Sequence, residues 1–407
     1  MARVSPTSSL GSQRWVVLLV ALVGLIAGCA AQYGLSYLIP ALRAEGLALE
    51  TATTLVIAPV FGILVALIGW GAAADRWGER LVLTVGLAGA GVALLLSAGA
   101  ESPVLRWILL FLAGASGASI HSASGRLILG SFAAAERGLA MGIRQTGQPF
   151  GLAAAALVLP PLAARGVGLA LAALGVACLG SAVVIGLIVR DPVRPQVAGA
   201  GRGSGSPYRA AYLWRIHLAS AMLVIPQFAV AVFAFDYLVT GLGWSITAAG
   251  TLLAITQLAG AGTRIGAGIW SDRVRSRLGP MRLVALAIGL AMGALAALAL
   301  LGSAASVVAL AIAAVITVSP NGLAFTAVAE RAGASWAGRA LAVQNTFQNL
   351  VSAVVATPLA LVATSLGGGT FGYGGAFAIV VAFPLVAAMA IPAAAERRTA
   401  MPTVDVP

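Results

Sequence analysis

Lysine is absent from this sequence: all 24 basic residues are arginine, set against only 12 acids, and charged residues make up 9% of the 407. Such scarcity of charge excludes a solvated surface of the size a soluble chain needs, and 60% of the residues are hydrophobic, with a mean hydropathy of +1.01. Cysteine is nearly missing too. Cys29 and Cys178 lie in separate apolar runs without metal-ligand company, which excludes a disulfide framework and a cysteine metal site and leaves core packing. No nucleotide-binding loop, nucleophile–base constellation or appended soluble domain is visible, so an enzyme and a bound cofactor or metal are not expected. The net charge of +12 follows the membrane and does not point to nucleic acid. One apparent signal is set aside. "LIAGC" before Ala30 looks like a lipoprotein processing site, but cleavage there would leave an odd number of spans, so it reads as a first span rich in small residues.

What is abundant is long apolar runs. Those of about 18 residues or more read as membrane-crossing helices, which satisfy their own backbone hydrogen bonds in lipid. Twelve spans are predicted: 15–39, 51–74, 81–99, 105–132, 139–163, 168–189, 214–239, 246–270, 281–302, 305–328, 338–364 and 371–394. Eighteen of the 24 arginines fall on one side of these spans, three (Arg43, Arg106, Arg165) on the other and three (Arg126, Arg144, Arg264) inside. The positive-inside rule then predicts a multi-pass protein of a bacterial inner membrane with both termini in the cytoplasm.

Near the midpoint lies "RDPVRPQVAGAGRGSGSPYRA", whose Gly, Pro, Ser and Arg predict a flexible cytoplasmic linker. The flanking halves repeat. "LSYLIPALRAEGL" and "GIRQTGQ" return 200 residues later as "FDYLVTGLGWS" and "AVQNTFQ", and "GAAADR" returns 197 later as "GIWSDR". The expected organisation is a six-helix bundle over 1–190, a linker over 191–213, a second six-helix bundle over 214–395 and a tail over 396–407.

The loop "GAAADRWGERLVL" resembles the loop 2–3 signature of the major facilitator superfamily, on Gly71, Asp75, Arg76, Gly78 and Arg80. A degenerate copy follows the eighth span on Gly268, Asp272, Arg273 and Arg277, and "ERG" (136–138) resembles the family's loop 4–5 pattern. The resemblance implies an all-α membrane protein with two pseudo-symmetric six-helix bundles that rock around a central site. Spans one, four, seven and ten would line the cavity, and two, five, eight and eleven would form gates. Physically the motif reads as a latch, with Gly71 permitting close helix approach and Asp75 capping a helix or pairing with arginine across the cytoplasmic face. Ordinary interfacial charges that only set topology are the alternative.

Each charge inside a span needs a reason, because it costs roughly 2.5–3.5 kcal/mol at mid-membrane on insertion scales. Arg126, Arg144 and Arg264 all fall in the cytoplasmic half. They are expected either to snorkel or pair with Asp75, Glu136 or Glu330, or to bind an anion, with Arg144 and Arg264 approaching each other at a gate. Asp236 is the one acid placed inside a span. It reads as a proton-coupling carboxyl or as a solvated residue of the outer rim. His121 reads as a proton relay, a substrate ligand or an interface histidine, and His217 has no assigned role. Gln32, Tyr37, His121 and Asn321 fall on presumed cavity helices. Gln148, Gln344 and Gln348 mark a polar turn shared by spans five and eleven.

The expected function is secondary active transport of a small anionic organic solute by alternating access, driven by a proton or ion gradient, in a monomer surrounded by lipid. Proton-coupled drug efflux is the alternative. Drug antiporters of the superfamily carry an arginine where this chain has Leu110, and a Gly-Pro pair that Gly147, Pro149 and Gly151 do not reproduce. A transporter-like sensor is a remote third reading.

Overall fold

A computed structural model describes residues 9–132, 140, 143–191, 208, 211–332, 337–393 and 396, apart from the side chains of 9–12, 75, 129 and 337–339. Among the described residues all regular structure is helical. The chain divides into two compact units, 1–196 and 197–407.

In the first unit, α1 (Ser9–Tyr33) passes through a tight turn, Gly34–Leu38, into α2 (Ile39–Ala44). Then come α3 (Leu49–Trp77), α4 (Glu79–Ala98), α5 (Pro103–Gly117), α6 (Ser119–Ser131), α7 (Gly147–Ala163) and α8 (Val167–Ile188). The second unit holds α9 (Ala211–Asp236) with a widened turn at Tyr237–Gly241, α10 (Ile246–Arg273), α11 (Leu278–Leu300), α12 (Ser306–Ile316), α13 (Pro320–Ala332), α14 (Ala337–Ser365), α15 (Gly369–Val380) and α16 (Ala382–Ala390). Eleven helices or helix pairs among the described residues are long and apolar enough to cross a membrane, against twelve predicted. The difference is the fifth span. Its described helix, α7, has 17 residues, and 141–142 at its predicted start lie outside the described residues.

The two units break their helices at matching places. A tightened turn follows α1 and a widened one follows α9. The fourth predicted span is interrupted at Ala118 between α5 and α6, and the tenth at 317–319 between α12 and α13. Pro320 explains the second break: it has no N–H to give the preceding turn, so carbonyls there are freed.

With lipid outside, helices gain little from burying leucine against leucine, and close backbone packing holds them together instead. Gly62 and Gly114 let α3 and α5 touch backbone to backbone. A Cβ on Gly62 would lie 2.5 Å from the Ala115 nitrogen, and one on Gly114 would lie 2.5 Å from the Pro59 carbonyl carbon. Trp70 Nε1 ties the same pair by donating to the Ala115 carbonyl at 2.7 Å. Gly91 and Gly175 do the same for α4 and α8, each Cβ position lying under 3 Å from the other's carbonyl oxygen. Outward positions such as Val65, Ile68, Leu187 and Leu290 are more than two-thirds exposed and apolar, as a lipid solvent requires. Both cysteines are buried, as their sequence context predicts.

Gly114→Val is expected to overpack α5 against Pro59 and to cost about 1–3 kcal/mol, seen as a lower melting temperature in detergent. Gly69→Val, at a position with no neighbour within 4 Å, is expected to melt like the parent.

Candidate substrate site and the motif loops

The signature loop works through its second glycine. Gly78 has φ +89°, a conformation only glycine adopts readily, and a Cβ there would lie 2.8 Å from the Asp191 carboxyl carbon. That space admits Asp191, just beyond α8, whose Oδ1 accepts the Arg80 backbone N–H at 2.7 Å at the start of α4. The Arg80 side chain donates to the Gly186 carbonyl near the end of α8. The second unit repeats this arrangement. Glu396, beyond α16, accepts the backbone N–H groups of Arg277 (2.7 Å) and Leu278 (3.0 Å) at the start of α11. Each acid thus satisfies orphan donors of a helix N-terminus and complements its dipole. Arg277 also pairs with Glu330 at 3.0 Å and with Asp272. The Glu330 hydrogen bond, working against partial burial and ahead of that to Asp272, holds its guanidinium above the ordinary arginine value.

One motif expectation changes. Nothing described lies within 4 Å of a Cβ placed on Gly71 or Gly268, so close helix approach is not what glycine provides there. Arg76 and Arg273 are exposed, with the Arg76 guanidinium over the Trp77 ring at 5.5 Å. The Asp75 side chain and Glu136 lie outside the described residues.

Arg126, on α6, pairs with Glu79 at 3.4 Å. Glu79 opens α4 and its side chain is 3% exposed. Sequence reading missed this acid because it stands at a span boundary, where a charge attracts no notice. Its partners were sought at Asp75, Glu136 and Glu330 instead.

Arg144 precedes α7. Its Nε donates to Ser124 Oγ on α6 at 3.0 Å, and Nη1 donates to the Gln145 side chain at 3.1 Å. Ser124 in turn donates to the Ile120 carbonyl, which fixes its oxygen as an acceptor for the guanidinium. His121 lies one helical turn before Ser124 and so shares its face. Its Nε2 meets Gln32 Oε1 on α1 at 2.7 Å, with the Tyr33 ring edge-on at 6.2 Å. Gln32 is 2% exposed, and its Nε2 has no hydrogen-bond partner among the described residues. Arg144, His121 and Gln32 are therefore gathered in one unit, as donors for an anion would be. Gln148 is half-buried on the first turn of α7, and Tyr37 is buried in the turn after α1.

The second unit has amides at the corresponding places. Asn321 Nδ2 donates to Gln227 Oε1 at 3.0 Å, and Gln348 Nε2 donates to Ser220 Oγ at 2.6 Å and reaches Asn321 Oδ1 at 3.3 Å. Gln344 bonds His217 Nδ1, whose Nε2 meets the Tyr208 hydroxyl at 3.0 Å. His217 is fully buried and stacked on Phe347, which gives it a place in the packing of the second unit. Arg264 donates its Nε at 3.2 Å to the Val318 carbonyl, in the turn that Pro320 interrupts. It belongs to the other unit from Arg144. Asp236 is fully buried, with the Tyr373 hydroxyl donating to its Oδ2 among Phe233, Tyr237 and Phe377. The solvated outer-rim reading of Asp236 is thereby overturned.

Glu79→Gln is expected to leave Arg126 without its carboxylate and to lower stability by about 1–3 kcal/mol, reduced by the partial exposure of the guanidinium. Adding Arg126→Gln should recover part of the loss, as read from melting temperatures of the two single variants and the double.

Comparison with known proteins agrees with this geometry. The sequence profile of the Major Facilitator Superfamily matches residues 20–356. A protein of Mycobacterium tuberculosis described as an uncharacterized MFS-type transporter is 40% identical over 384 residues, covering 93% of this chain and 85% of its own. Among solved structures, a bacterial homologue of the human lysosomal transporter Spinster, inward-facing and occupied, superposes with a TM-score of 0.78 at 15% identity, covering 95% of this chain and 97% of its own. A D-xylose–proton symporter superposes at 0.75 and 16% identity, covering 93% and 98%. The chain belongs to the Major Facilitator Superfamily of membrane transporters.

Proposed function

We propose that this transporter moves a small anionic organic solute across the bacterial inner membrane by alternating access, coupled to a proton or ion gradient, with both termini in the cytoplasm. The observation that carries the reading is Arg144. Its hydrogen-bond partners among the described residues, Ser124 and Gln145, are both uncharged. A guanidinium at that depth costs several kcal/mol unless it is matched, and a planar carboxylate fits its fork of donors. Arg126 is set apart from this role by its pair with Glu79.

The test is counterflow in proteoliposomes with labelled pyruvate, lactate and succinate, and with ethidium as the cationic drug probe. At least one anion is expected to exchange and ethidium is not. Arg144→Gln is expected to cut anion exchange at least about tenfold, equivalent to about 1.4 kcal/mol of lost interaction. Exchange of ethidium alone would replace the anion reading with drug efflux.

A further inference from the structure

The internal repeat makes the two units a controlled comparison. At a spacing of 200 residues, His121 corresponds to Asn321, Arg144 to Gln344 and Gln148 to Gln348. Both units therefore build a polar cluster at the same register, on a broken helix and on the helix after the next loop. In the second unit these positions hold amides that bond to one another and to Gln227, Ser220 and His217. In the first, two of the three positions hold groups able to carry positive charge.

The hydrogen bonding of His121 limits what its ring can do. Gln32 Oε1 is an acceptor, so the ring hydrogen sits on Nε2. Nδ1 has no partner among the described residues. The described titratable groups beside the ring are Tyr33 of α1 and Arg144, and neither is a carboxylate. The Arg144 guanidinium is held one turn along α6, by Ser124. A second cation on Nδ1 is repelled by it until an anion lies between them.

We infer that His121 takes up a proton at Nδ1 together with the substrate's carboxylate, so that each anion crosses with a proton. The inference rests on the anion reading above and assigns its coupling to one atom. The carboxylate takes donors from the Arg144 fork and the newly protonated Nδ1, on the side of the ring away from Gln32. The proton comes from bulk water on the loading side and leaves to water with the anion on the other, so no further reactant is needed. Coupling is reciprocal: the factor by which the anion favours the proton is the factor by which the proton favours the anion. Gly117 belongs to the device as a positioning residue. A Cβ there would lie 2.7 Å from Gln32 Nε2 and push the amide from its place.

The test measures the half-saturation concentration for counterflow of pyruvate, lactate and succinate from pH 6 to pH 8. In the parent protein it is expected to rise with pH, by up to about tenfold per unit. His121→Gln keeps a donor for Gln32 but cannot ionise. It is expected to exchange anions weakly, with no pH slope. His121→Asn, the residue of the second repeat, is the companion variant. A flat profile in the parent, or the parental slope retained in both variants, overturns the coupling and leaves the anion reading standing. Absence of any anion exchange by the parent overturns the anion reading and this inference together. Should neither variant exchange anions, proton uptake by the parent in weakly buffered detergent decides. About one proton per pyruvate, lactate or succinate bound supports the assignment, and none overturns it.

Discussion

A guanidinium within a span or at its edge has to be matched by something, and much of the polar architecture of this protein is arranged around that requirement. Arg126 is matched by Glu79. Arg277 is matched by Glu330 and Asp272. Arg80 is spent on the Gly186 carbonyl while its own backbone N–H is taken by Asp191. Arg264 uses a carbonyl freed where Pro320 breaks the helix. Arg144 differs, because Ser124 and Gln145 orient it without neutralising it. Orientation without neutralisation is what a binding site for an anion needs, since an acid in that place would compete with the solute.

The repeat shows which features the fold needs and which are particular to one unit. Both units cap the helix after the motif loop with an acid drawn from beyond their last helix, and both interrupt one long span near its middle. Those duplicated features serve the bundle. The polar clusters are duplicated in position but not in charge. The second unit's amides bond one another around Asn321, and each unit leaves one amide nitrogen without a partner among the described residues, Gln344 Nε2 and Gln32 Nε2, but only the first places a histidine beside an arginine. Function is written in that divergence, on a framework that the common features hold.

Much of the fold was legible in the sequence because lipid imposes long apolar runs, and the bounds of most helices follow from them. The fifth span, predicted over 139–163, is described only over its 17-residue helix α7 and the residues just before it. The gathering of His121, Arg144 and Gln32 followed only in part, since Gln32 and His121 fall on presumed cavity helices and Arg144 on a presumed gate helix. Other features were hidden by sequence distance. The contact between Arg80 and Asp191 spans 111 residues and that between Arg277 and Glu396 spans 119, so neither acid advertises its partner. Gly71 suggested a helix crossing that its open surroundings do not show, whereas Gly78 is required by its backbone angle and by Asp191. Burial of Asp236 and His217 escaped notice because position along a span says little about which side of the helix faces the bundle.

The central claim is that Arg144 is a fixed charge kept for an anion, and ligand-induced stabilisation tests it most directly. A solute that binds the folded state raises its melting temperature in proportion to occupancy. Titrating pyruvate, lactate and succinate into the purified parent is expected to raise the melting temperature for at least one of them, and to leave Arg144→Gln unmoved. An equal rise in Arg144→Gln would show that the anion is bound elsewhere and would contradict the account.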